Sequence, residues 1–493
     1  MFESIELGHK LAKDKFQELL PKLRAELLQT HMQLRGRNFP VIVIIAGEDA
    51  AGKGETVQRL NEWLDPHGVE THAFWESSKE KLQHPEYWRF WQAMPGRGRI
   101  GIFFGSWYAE PMLRRIYGEI KPDAFDHALD RIAAFEKMLT DDGALVLKFW
   151  LHLSRKDQKK SLKRLDNQGL ATETDWKHHK LYDSFIKIAE RAISRTHDSA
   201  APWHLIEAAD ERYRVYTVGT ILMESLQQKL ATTSASGSTP KSVYLKERET
   251  GDPGLTSGTD SILDKIDLTQ KLSDSDYRKQ LTSLQARLGK LAWKAHSEKQ
   301  SMVLAFEGWD AAGKGGAIRR VAQSMDPRLY KVVGVAAPTD EERAQHYLWR
   351  FWRKIPRAGS ATIFDRSWYG RVLVERVEGF APPSDWSRAY TEINAFEEQL
   401  IEHGIILCKF WLHISPEEQL RRFKERETVA YKQYKITEED WRNRKKWDDY
   451  KLAVNEMVAR CSTNSAPWTL VAANDKRIAR VQVLKTVVNS LER

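Results

Sequence analysis

The chain repeats itself once. "GEDAAGKGE" at 47–55 matches "GWDAAGKGG" at 308–316, "YWRFWQAMPGRG" at 87–98 matches "LWRFWRKIPRAG" at 348–359, and "KFWLHLS" at 148–154 matches "KFWLHIS" at 409–415. Lys53, Trp107 and Trp150 recur 261 positions on as Lys314, Trp368 and Trp411, whereas Trp176 and Trp203 recur 265 positions on as Trp441 and Trp468. Four residues were therefore gained or lost between 166–175 and 427–440. A period this long is a whole domain, not a solenoid unit. Any fold proposed for one half must suit the other.

A length of 493 residues also calls for more than one domain. The break is expected where "ATTSASGSTPKS" (231–242) and "ETGDPGLTSGTD" (249–260) supply linker chemistry. The expected division is a domain at 1–230, a linker at 231–261 and a second domain at 262–493. In each copy an amphipathic helix (about 272–295 in the second) precedes an apolar run, "VIVIIAG" or "MVLAFEG", that ends on glycine. Such a run reads as a buried parallel strand. "GSATIFDRSW", "GIILCKFWLHIS" and "WTLVAAND" read as further strands separated by helical patterns. Strands alternating with helices predict an α/β fold with a parallel sheet in each domain.

Gly308-Trp-Asp-Ala-Ala-Gly313-Lys314 fits the phosphate loop G-x-x-x-x-G-K, with a strand before it and a helix after. Backbone N–H groups and the helix N-terminus would hold phosphate oxygens, and Lys314 would reach the transferable group. A tight turn with a surface lysine is the plainer alternative. The residue after the lysine is Gly315, where the hydroxyl that holds Mg²⁺ is usual. Asp310 in the loop and Asp365 at the end of the next strand are the expected metal carboxylates, Mg²⁺ being a hard cation and Mn²⁺ the alternative. Basic residues gather at matching places: Arg350, Arg353 and Arg357; Arg366, Arg371 and Arg376; Arg421, Arg422 and Arg426; Lys432 and Lys435; Lys476 and Arg477. Together they suggest a channel for a phosphate chain, which the net charge of +9 also favours.

"FEGWDAAGKGG", "YLWRFWRKIPRAG", "IFDRSWYGRVLVERVEGF", "INAFEEQL" and "KFWLHISPEEQLRRF" resemble the second family of polyphosphate kinases. The resemblance covers almost all of 262–493 and recurs more weakly over 1–230. The tandem layout is similar to the two-domain members, which are polyphosphate:AMP phosphotransferases. It implies two P-loop kinase-like domains of thymidylate-kinase-like fold with a helical lid, inorganic polyphosphate as donor, AMP as acceptor and reversible Mg²⁺-dependent transfer. Carried onto this chain, Asp310, Lys314, Asp365 and Arg366 would be catalytic. Gly308, Gly313, Gly315, Arg353, Arg371, Arg421, Lys432, Lys435 and Lys476 would bind substrate, and a lid would span about 425–447. Transfer to nucleoside diphosphates, or from ATP to a nucleoside monophosphate, remain the alternatives. Acceptor base and mono- versus diphosphate choice are left open by the residues.

The first copy departs at the decisive place. Phe104 and Gly105 stand where the second has Asp365 and Arg366, its lid segment "DNQGLATETDW" has no lysine, and Glu211 replaces Lys476. The first domain is expected to be a degenerate copy. Other expectations follow from composition. Two cysteines and no secretory leader point to the cytoplasm, and no apolar run is long enough for a membrane span. No nucleic-acid-binding pattern occurs. A monomer or a homodimer is expected.

Overall fold

The computed structural model describes residues 1–74, 83–169, 171–235, 261–428 and 438–493. Lys432, Lys435, residues 429–437 of the expected lid and nearly all of the expected linker lie outside these. The chain divides into two compact units, Met1–Ser78 with Phe90–Arg248 and Asp340–His346, and Lys79–Arg89 with Glu249–Thr339 and Tyr347–Arg493.

The first unit holds one five-stranded sheet: β1 (Val41–Gly47), β2 (Val69–Ala73), β3 (Ile100–Phe104), β4 (Leu145–His152) and β5 (Trp203–Glu207), in the order β2-β3-β1-β4-β5. The second holds β6 (Met302–Gly308), β7 (Tyr330–Gly334), β8 (Ala361–Asp365), β9 (Ile406–His413) and β10 (Trp468–Ala472), in the order β7-β8-β6-β9-β10. Every pairing is parallel. The two sheets are one topology built twice, as the repeat requires.

The expected strands are present because helices cover both faces, so each must be apolar on both sides. In β4 and β9 seven of eight residues are buried. Two strands were not legible. "VETHA" and "YKVVG" form β2 and β7 at the sheet edges, half-exposed, and carry no apolar run. The helix expected at about 272–295 runs Asp274–Ser297, started by the Ser273 hydroxyl accepting the Asp276 N–H. Helix Glu211–Ala235 runs past the domain end expected at 230. No helix among the described residues is long and apolar enough to cross a membrane.

In each sheet the chain leaves the central strand in one direction and its neighbours in the other. The turns after β1 and β3, and after β6 and β8, therefore gather at one edge, where such sheets bind ligands.

Candidate active site

The second unit's site begins at Gly308, the last residue of β6. Its φ is +149°, and a Cβ there would lie 2.5 Å from Leu412 O, so only glycine fits. The turn ends on Gly313 in the left-handed region, from which helix Lys314–Ala322 starts. Lys314 Nζ donates to Gly308 O at 2.6 Å. Asp310 is held from three sides. Asn443 Nδ2 donates to its Oδ2 at 3.0 Å, Arg366 Nη2 lies 3.4 Å from Oδ1, and Gln419 Nε2 donates to its carbonyl at 3.1 Å.

Asp365 ends β8 beside Phe306 of β6, which carries it to the loop. Arg366 follows with φ +64°, a conformation that costs a non-glycine residue and persists where the surroundings enforce it. Its N–H donates to Phe306 O at 3.0 Å. Next to it Glu307 is buried and accepts from the Ser367 N–H at 2.7 Å and hydroxyl at 2.8 Å. Burial pushes the Glu307 carboxyl up, against the pull of Lys314, Ser367 and Arg366. The loop's first side chain, Trp309, stacks on Trp447 with centroids 3.6 Å apart and planes at 8°. Its Nε1 donates to His413 Nδ1 at 3.0 Å, and burial lowers that histidine to about 4, which leaves it neutral and able to accept.

These groups open into a cleft of about 800 Å³. Of its charged lining residues eight are basic and four acidic, which suits a polyanion. Among the residues anticipated from sequence, Asp310, Gly313, Lys314, Gly315, Asp365, Arg366 and Lys476 line it, and Gly308 lines a smaller pocket beside it. Three others stand elsewhere. Arg353 packs over the Trp349 ring at 4.5 Å. Arg371 lies over Tyr347 at 4.5 Å and pairs with Glu375 at 3.2 Å. Arg421 is exposed and bound to Glu418 at 2.7 Å; its neighbour Arg422 is the one that lines the cleft. Sequence reasoning also passed over Glu307, Gln419 and Asn443. A lone carboxylate inside the apolar run "MVLAFEG" was the available signal for the first.

The first unit's loop keeps the shape. Gly47 (φ +137°) presses on Leu151 O, and Lys53 Nζ donates to Gly47 O at 2.8 Å. The chemistry differs. Asp49 meets His178 Nδ1 at 2.6 Å and Lys53 at 3.6 Å. Burial raises its carboxyl, but Lys53 and His178 outweigh that and hold it below the ordinary value. Glu48 replaces Trp309 and is buried against His152 Nδ1 at 2.7 Å. Gly105 adopts φ +78° where the other copy has Arg366. A neighbouring pocket of about 440 Å³ has Glu62 as its one charged lining residue.

A model of the family Polyphosphate kinase 2 (PPK2) matches residues 10–234 and 271–493. The chain is 52% identical over 502 residues to a polyphosphate:AMP phosphotransferase of Pseudomonas aeruginosa, covering 100% of this chain and 99% of that protein. It is 49% identical, over 100% of this chain and 98% of the relative, to the enzyme of that name from Pseudomonas syringae pv. tomato. A GDP-polyphosphate phosphotransferase of Mycobacterium tuberculosis is 38% identical over 45% of this chain and 76% of its own length. A crystal structure from Pseudomonas aeruginosa PA01, titled as a polyphosphate kinase 2, superposes with a TM-score of 0.89 at 51% identity, covering 100% of this chain and 98% of that one.

Proposed function

Because the chain belongs to the polyphosphate kinase 2 family, we propose that it transfers the terminal phosphoryl group of inorganic polyphosphate to AMP, giving ADP. The observation that carries this reading is one cleft holding a phosphate loop, two carboxylates and a surplus of cations. An oxygen of the AMP phosphate attacks the terminal phosphorus, the P–O bond to the penultimate phosphate breaks, and the shortened chain leaves with that oxygen. One phosphoanhydride replaces another, so the reaction runs in either direction. Lys314 and Arg366 stabilise charge on the transferring group, Lys476 holds more of the chain, and loop N–H groups orient it.

Asp310 and Asp365 fit a hard dication. Both carboxylates line the cleft, and Mg²⁺ is usually held by one or two carboxylates plus phosphate oxygens. No group of three or more His, Cys, Asp or Glu side chains that could hold a metal occurs among the described residues, so phosphate oxygens would complete the shell. When bound, Mg²⁺ would neutralise charge on those oxygens.

The first unit serves as a degenerate copy, supported by its lack of the Asp365 and Arg366 side chains. A reducing cytoplasm suits Cys408 and Cys461, both free and buried. The relatives that act on nucleoside diphosphates favour a second, slower activity on ADP or GDP. The test is an assay of AMP, ADP, GMP and GDP, each with polyphosphate or ATP as donor. The reading requires AMP with polyphosphate to be fastest; transfer from ATP alone would sink it.

A further inference from the structure

Arg422 sits on helix Pro416–Thr428 and is 3% exposed. Its guanidinium is fully committed. Nη1 donates to Ala311 O and Ala312 O, both at 2.9 Å. Nη2 donates to Ala473 O at 2.7 Å and Asn474 O at 2.9 Å. Nε donates to Glu418 Oε1 at 2.6 Å. A guanidinium has five N–H donors, and all five are used. Two acceptors belong to the phosphate loop and two to the turn after β10.

The two loop carbonyls matter through peptide planarity. A C=O and the next residue's N–H share one rigid plane and point opposite ways. Holding Ala311 O and Ala312 O on one side therefore sets the directions of the Ala312 and Gly313 N–H groups. The first already closes the turn onto Trp309 O at 3.0 Å. The second lies where a phosphate loop presents donors to its ligand. A lysine could not replace this brace, having three donors and no planar fork.

The first copy separates the two ties. Ser161 stands at the position of Arg422. Arg214, from a different helix, comes to the same shoulder: a Cβ on Gly52 would lie 2.3 Å from its Cζ. Arg214 Nη1 donates to Ala208 O at 2.9 Å, the counterpart of Ala473 O. Its other bonds go to Thr56 Oγ1 at 3.1 Å and Glu55 Oε2 at 2.6 Å, side chains of the following helix. The tie to the turn after the last strand is kept. The guanidinium's remaining bonds go to the helix, not to the loop carbonyls.

We propose that Arg422 is a positioning residue for phosphoryl transfer, holding the loop's peptide planes so that their N–H groups face the phosphate chain. This rests on reading the cleft as the phosphoryl-transfer site. The experiment compares the full-length parent with Arg422→Lys, Arg422→Gln and Arg422→Ala, with Asp365→Asn as a control. Amide hydrogen exchange over 309–315 and steady-state kinetics with polyphosphate and AMP are measured on proteins whose fold is checked by circular dichroism.

Exchange in the loop is expected to rise about tenfold or more. The kcat of Arg422→Gln should fall about 10²-fold, the cost of a small misplacement at a reacting centre, with the KM for AMP little changed. Arg422→Lys should recover only part of the loss. Added guanidinium ion should raise the rate of Arg422→Ala but not of Asp365→Asn. Should Arg422→Gln fail to fold, Arg422→Lys, which keeps the charge and most of the stem, carries the test. Parental loop exchange, or lower thermal stability with parental kcat, overturns the proposal. A parent unable to use polyphosphate and AMP overturns the functional reading alone, and the exchange comparison still decides for Arg422.

Discussion

The segments after β3 and β8 share Ser-Trp-Tyr and differ in the two residues before it. In both copies the shared part is scaffold. Trp107 Nε1 and Tyr108 Oη donate to Glu136 at 2.9 and 2.8 Å, and Lys148 Nζ reaches the other carboxylate oxygen at 2.6 Å. Trp368, Tyr369, Glu397 and Lys409 repeat this at 3.0, 2.8 and 2.7 Å. Every member is buried. The differing part, Phe104-Gly105 against Asp365-Arg366, is what faces the cleft in the second unit. In this segment, sameness marks packing and difference marks chemistry.

Four sets of variants separate scaffold from chemistry in the two units. The largest expected effect falls equally on both units. Lys148→Met and Lys409→Met each strand a buried carboxylate and should each destabilise their own unit by about 3–5 kcal/mol. Two calorimetric transitions shifting by similar amounts would support a shared scaffold; a loss confined to one unit would refute it.

The next effect should be confined to one copy. Lys314→Ala or Asp365→Asn should lower kcat by about 10²–10³, or about 2.7–4 kcal/mol, whereas Lys53→Ala should leave kcat near the parent. Saturation kinetics decide it, and equal losses at Lys53 and Lys314 would end the degenerate-copy reading.

A smaller contrast lies under the loops. His413 is held near 4 by burial, so its contribution to stability is present above the ordinary value of ~6.5 and is lost as pH falls towards 4. Between pH 7 and 5 the second unit should lose on the order of 2 kcal/mol through this group. His413→Asn, which keeps an acceptor for Trp309, should flatten that slope in denaturant titrations. His152 behaves oppositely: burial lowers it, but Glu48 and Glu6 raise it further. Its contribution is present below ~6.5 and is lost as pH rises through the raised value.

The smallest effect sharpens the picture most. Arg366→Gly, which copies the first unit, should stabilise the second by about 1 kcal/mol or less through relief of backbone strain, while kcat drops. A destabilised variant would mean that Arg366 holds the fold rather than the substrate.

The repeat, the phosphate loop and the central strands were readable because each leaves a contiguous mark. The edge strands β2 and β7 were not, since half-exposed strands need no apolar run. The basic clusters misled about location. Arg371 follows Arg366 by five residues and Arg353 lies in a second basic cluster, but aromatic rings and Glu375 hold both outside the cleft. Helical period could have separated Arg422 from Arg421, because Gln419, Arg422 and Phe423 share one buried face. Asn443 reaches Asp310 only through the fold, across 133 residues.

Gly105 limits what can be engineered into the first unit. A Cβ there would sit 2.8 Å from Phe74 O, a main-chain atom that cannot swing aside. A side chain cannot be placed at position 105 without first moving the neighbouring strand end, so copying Asp365-Arg366 into the first unit takes more than exchanging two residues. If the first unit is a degenerate copy, Gly105→Arg alone would not give it a second working site.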